Sequence, residues 1–125
     1  MATLKDKLAE KIEEWRPRIK ELNKNYGDVV IDQVTVSQVL GGMRGIKSLL
    51  TDISYLDPNE GIRYRGYTLE EVFKLLPKAE DSEMPCVEGL LYLFLTGDIP
   101  TPEEVQDVGD EFRKRRILPR YVYEV

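Results

Sequence analysis

The 125-residue sequence contains no histidine. Histidine has the unperturbed pKa nearest neutrality and is the commonest metal ligand. Nucleophilic triads that need an imidazole are therefore excluded within this chain. Carboxylates and tyrosines remain, but they would need strong tuning to move protons at neutral pH. There is a single cysteine, Cys86, so neither an internal disulfide nor a cysteine-based metal cluster can form. Cys86 opens an apolar run to Leu95, which reads as a buried structural thiol. No metal site and no cofactor are expected. No apolar stretch is long enough to cross a membrane. The start, Met1-Ala2-Thr3-Leu4-Lys5, lacks an apolar signal core, and the acids that follow do not suit a transit peptide. The expectation is a cytoplasmic protein with no membrane partner. Positive charge is also in deficit, with 18 Lys and Arg against 23 Asp and Glu and a net charge of -5. The summed field would repel a phosphate backbone, which argues against a general nucleic-acid partner.

What remains is a globular composition, 42% hydrophobic and 33% charged, of a length that suits one domain over residues 1–125. Leu4, Leu8, Ile12, Trp15, Ile19, Leu22 and Tyr26 recur at steps of three and four, which predicts one long helix over 3–26. Thr3 and Asp6 have the spacing of a capping box. Pro17 predicts a kink or a break near Trp15-Arg16. The stripe reads as core-facing or partner-facing. The β-branched stretch Asp28 to Leu40 favours extended structure, with Ser37 as a candidate cap for a short turn. A β-hairpin is expected over 48–67, around Asp57-Pro58-Asn59-Glu60-Gly61. Helices are expected at 69–76, opened by Thr68-Leu69-Glu70-Glu71, at 86–95, and at 102–116, opened by Thr101-Pro102-Glu103-Glu104. The apolar helix 86–95 predicts burial within something larger. The basic run Arg113 to Arg116 suits a helix C-terminus and needs no nucleic acid. Leu118 to Val125 begins a further apolar segment without a stop signal, so a truncated chain is expected. The fold class is mainly α with a small β-hairpin.

The most unusual stretch is Gly41-Gly42-Met43-Arg44-Gly45-Ile46-Lys47. Three glycines in five positions permit left-handed backbone or close approach to a ligand. Amide donors with an arginine fork suit a phosphate or a carboxylate. A tight glycine-rich turn carrying exposed basic residues is the commoner reading of the same letters, because short glycine motifs are widespread. Arg63 and Arg65, two apart on an expected strand, would point the same way, as a basic patch or as a solvated face.

Taken in order, these segments resemble the citrate synthases of the eukaryotic-like, dimeric kind. The resemblance rests on Gly41-Gly42-Met43-Arg44-Gly45, Leu56-Asp57-Pro58, Glu60-Gly61-Ile62-Arg63 and Arg65-Gly66. It continues through Leu75-Leu76-Pro77-Lys78-Ala79, Glu88-Gly89-Leu90, Leu95-Thr96-Gly97 and Ile99-Pro100-Thr101. It implies the N-terminal segment of a helical large domain, and a homodimer. It implies a parent enzyme that condenses acetyl-CoA with oxaloacetate and water to citrate and CoA, with acetyl-CoA as substrate rather than cofactor. It assigns no catalytic residue here, because the family's catalytic aspartate and histidines lie downstream of this stretch. It places Arg44 on the CoA phosphates, with Gly41, Gly42 and Gly45 as the permissive backbone around it. The chain alone is therefore expected to be inactive. A methylcitrate synthase using propionyl-CoA, and a helical interaction module without catalysis, are the competing expectations.

Overall fold

A computed structural model describes residues 3–124. Met1 and Ala2, with which the expected leader-free start begins, and Val125, on which the last apolar segment ends, lie outside the described residues. The architecture is mainly helical with one small antiparallel sheet. The chain forms two compact units, one made of residues 1–11 and 52–125, the other of residues 12–51.

Helix α1 runs Leu4–Tyr26. Thr3 and Asp6 close its N-terminus reciprocally, the Thr3 amide donating to Asp6 Oδ2 at 2.9 Å and the Asp6 amide to Thr3 Oγ1 at 3.3 Å. The break expected at Pro17 is absent, since a single helix continues through it. Proline removes one internal donor, and the turns on either side retain enough bonds to carry the helix past that gap. The core-facing reading of the stripe fails over its second half: Ile19 and Tyr26 are 64% and 63% exposed, and α1 has no buried residue.

The first unit holds the core. Strands β1 Ser54–Asp57, β2 Gly61–Tyr64 and β3 Tyr67–Thr68 form an antiparallel sheet in that order. The hairpin expected from residue 48 thus begins at Ser54 and gains a third strand. The first reversal is held by Asp57, whose Oδ1 accepts from the Asn59 and Glu60 amides at 2.8 and 3.0 Å. Those two amides keep its carboxyl below the usual carboxylate range, the Glu60 amide contributing most. The second reversal is the two-residue turn Arg65-Gly66, with φ of 50° and 89°. Two consecutive positive φ values match the twist of the flanking strands. Glycine adopts this freely, whereas Arg65 does so at a cost.

Helices α3 Leu69–Leu75 and α5 Pro102–Arg115 each open on a Thr–Glu capping box. Helix α4 Val87–Thr96 ends on the left-handed Gly97. Cys86 is the N-cap of α4 and is partly exposed, so the expected buried thiol sits at the helix mouth instead. Val72, Leu76 and Leu93 form the buried cluster, with Tyr64, Tyr67, Leu90 and Ile99 packed on it. Helices α4 and α5 add Tyr92, Val105 and Val108, each under a tenth exposed. Gly89 permits close packing at this point, because a Cβ there would lie 3.3 Å from Val105 Cγ2. Tyr92 donates to Glu104 Oε1 at 2.6 Å, while Glu104 Oε2 accepts the Thr101 amide at 2.9 Å. One carboxylate therefore caps α5 and anchors α4. Burial first, and then this bond, push the Tyr92 hydroxyl pKa upward.

Arg63 and Arg65 do not share a face. Arg63 pairs with Glu60 at 2.8 Å. Arg65 has a side chain only 7% exposed and pairs with Asp52 at 2.6 Å. Its Nε and a terminal nitrogen donate to the Phe94 carbonyl at 3.0 and 2.6 Å. That carbonyl is among the last four of α4, which have no intrahelical donor, so Arg65 caps the helix from the sheet. The strand parity behind the sequence expectation breaks because the chain leaves β2 at Tyr64. Tyr64 also meets Phe94 edge-on at 5.1 Å.

The second unit has no such core. None of residues 12–51 is buried, and only Trp15, Gln38 and Ile46 are even partly so. The extended structure expected over 28–40 is replaced by irregular chain and a short helix α2, Val36–Leu40. Strand propensity is realised through ladder partners and packing, and no strand pairs with residues 29–35 among the described residues. No helix among the described residues is long and apolar enough to cross a membrane.

Candidate functional site

The glycine-rich stretch lies immediately after α2, and its geometry follows from how that five-residue helix starts and stops. Thr35 is the N-cap, where Ser37 had been the sequence candidate. The Thr35 amide donates to Gln38 Oε1 at 2.9 Å and the Gln38 amide donates to Thr35 Oγ1 at 3.3 Å. This is a capping box with glutamine at the third position. The signal was present in the sequence as Thr-x-x-Gln. The surrounding valines, with their strand propensity, mask it.

At the other end, the Met43 amide donates to the Gln38 carbonyl at 2.8 Å and the Gly42 amide to the Val39 carbonyl at 3.2 Å. The Gly41 amide donates to the Ser37 carbonyl at 2.9 Å. Six-to-one and five-to-two bonds around a left-handed residue make a Schellman stop, with Gly42 at φ 80°. No atom lies within 4 Å of a Cβ placed on Gly42, so its constraint is backbone angle alone. Met43 continues at φ 63° and Gly45 follows at φ 70°. A methionine in the left-handed region carries a cost of about 1–2 kcal/mol, which the two helix-closing bonds on either side of its peptide help offset.

The amides of Gly41, Gly42 and Met43 are thus spent on the carbonyls of α2. The cation is what the stop presents outward. Arg44 and Lys47 are exposed. Neither takes part in the ion pairs formed among the described residues. An arginine so placed can offer a planar two-pronged donor to a phosphate or carboxylate. By contrast, Arg113, Lys114 and Arg115 pair with Asp110 and Glu111 of their own helix. Among the described residues no group of His, Cys, Asp and Glu could hold a metal ion.

A helical segment with a small three-stranded sheet and an outward arginine on a glycine stop defines a class of part rather than a complete site. The family model described as citrate synthase, C-terminal domain, matches residues 42–125, more than half of the chain. The chain belongs to the citrate synthase family.

Among curated proteins it is 50% identical over 119 residues to the mitochondrial citrate synthase of Kajikia audax, covering 95% of this chain and 25% of that one. The mitochondrial citrate synthase of Xiphias gladius matches equally, at 50% over 119 residues with the same coverage of each chain. The chain spans about a quarter of the length of these curated relatives. The expectation of a cytoplasmic protein is overturned by their names, which place both relatives in the mitochondrion. The body of a folded chain carries no address that composition can read.

Proposed function

We propose that this chain contributes the CoA-phosphate contact of an enzyme that condenses acetyl-CoA with oxaloacetate and water to give citrate and CoA. The observation that carries the reading is Arg44, an exposed guanidinium on a left-handed, hydrogen-bonded loop. Gly41, Gly42 and Gly45 shape the backbone that displays it. A phosphate held by arginine gains charge-assisted hydrogen bonds, which are stronger than neutral ones. The carbon–carbon bond formation needs a base at the acetyl methyl and donors at the developing enolate and at the ketone of oxaloacetate. A sequence without histidine offers no group naturally poised for those transfers. The chemistry then falls to residues beyond these 125, and the segment belongs to the helical large domain of that enzyme. The exposed apolar stripe of α1 supports a homodimer as its working form.

The test is release of free CoA thiol from acetyl-CoA and oxaloacetate. The purified 125-residue chain is expected to give none above the uncatalysed rate, and the intact enzyme to turn over. Turnover by the chain alone would overturn this division of labour.

A further inference from the structure

Gln38 stands apart from its neighbours. Val34, Val36, Val39 and Leu40 around it are all more than half exposed. The polar Gln38 is instead one of the three partly buried residues between 12 and 51. Apolar burial does not explain this, and its contacts do. Its side-chain Oε1 accepts from the Thr35 amide and from Thr35 Oγ1, at 2.9 and 3.1 Å. Its backbone carbonyl accepts the Met43 amide at 2.8 Å, the long bond of the helix stop. Its Nε2 lies 3.8 Å from where a Cβ on Gly45 would sit. One residue therefore ties the start of α2 to the residue before Arg44.

A five-residue helix is far below the length that is stable by itself, so it persists only while both ends are closed. Gln38 belongs to both closures. If its side chain is lost, the first turn loses the reciprocal cap. The Gln38 carbonyl then no longer has a fixed place from which to hold Met43. The loop that displays Arg44 would gain conformations, and each would have to be frozen out again when a phosphate binds.

We propose that Gln38 is a positioning residue for Arg44, acting through the cap and the stop of α2 without touching ligand. This rests on the reading of Arg44 as the CoA-phosphate contact. The proposal goes beyond that reading by assigning the rigidity of the contact to a named side chain. Glutamate is the more usual third-position partner in a capping box, so a carboxylate should replace the amide without loss.

The experiment is a double-mutant cycle on the intact enzyme, reading KM for acetyl-CoA, KM for oxaloacetate and kcat. Gln38→Ala is expected to raise the acetyl-CoA KM about fivefold, the usual size of a lost cap, with kcat and the oxaloacetate KM unchanged. Thr35→Val, which removes the other half of the box, should do the same. Gln38→Glu should restore wild-type values. In an Arg44→Ala background, Gln38→Ala should have no further effect. An equal fold-change in both backgrounds, a fall in kcat, or failure of glutamate to rescue would overturn the positioning role. If Arg44→Ala itself left the acetyl-CoA KM unchanged, the phosphate reading beneath it would fall. If Arg44→Ala raised that KM and Gln38→Ala did not, the reading would stand and the role of Gln38 would fail.

Discussion

The two units of the chain are built to opposite rules. The unit of residues 1–11 and 52–125 contains every buried apolar side chain among the described residues, from Val72 to Val108. The unit of residues 12–51 contains none, yet it carries the stretch that reads most clearly as a ligand contact. Around α2 the order comes from hydrogen bonds of sequence range five or less, in a capping box and a Schellman stop on the left-handed Gly42. Packing makes a region stable, whereas local hydrogen bonds make a loop specific in shape at little cost in apolar area. A side chain that must meet a ligand cannot also be a core residue, so the second device suits the contact proposed for Arg44.

The sharpest way to break this comparison is to remove a core side chain and an exposed one of the same kind. Leu93 is 0% exposed and Leu40 is 83% exposed. In urea denaturation of the chain followed by helical circular dichroism, Leu93→Ala should cost about 2–5 kcal/mol and Leu40→Ala about 0.5 kcal/mol or less. Similar losses at the two positions would erase the distinction between the units.

Arg65 refines it, because it brings a hydrogen-bond device into the packed unit. Arg65→Ala would leave the Phe94 carbonyl and Asp52 without this partner and should cost about 2–3 kcal/mol in the same denaturation. Arg65→Lys should recover only part of it, since an ammonium cannot reproduce the planar fork. Full recovery with lysine would show that charge alone matters there.

The smallest effect concerns Asp57. Its carboxyl pKa is lowered in the folded state by the Glu60 and Asn59 amides, so the turn gains stability above the unfolded pKa. That gain is lost as pH falls through the lowered folded value. The Asn59 and Glu60 amide resonances should therefore titrate with a midpoint below the ordinary aspartate range. A midpoint at or above that range would remove Asp57 as the clasp of the turn.

Much of the packed unit was legible because its signals are local. Thr68-x-x-Glu71 and Thr101-x-x-Glu104 announce helix starts through bonds made within three residues. The terminal glycine of α4 announces its stop in the same way. The role of Arg65 is not legible in the sequence, because its partner Phe94 lies 29 residues away and no local pattern reports such a contact. The valines of 29–36 favour strand by propensity yet form none, because strand propensity describes a fit to neighbours that this unit does not supply. At the candidate site, the residue types of 41–47 suggested anion chemistry, but the geometry divides the labour differently. The Gly41 and Gly42 amides close a helix, and the Arg44 side chain is left exposed. Gln38 amid valines carries no signal of its own, since its role depends on the Thr35 cap.

The most direct measurement is the kinetics of Arg44→Ala in the intact enzyme alongside its melting temperature. Loss of a charge-assisted phosphate contact from an unpacked loop should raise the acetyl-CoA KM on the order of tenfold or more, leave the oxaloacetate KM in place and shift the melting temperature by about 1 °C or less. An unchanged acetyl-CoA KM, or a fall in melting temperature as large as that of Leu93→Ala, would show that Arg44 holds the fold and not the ligand.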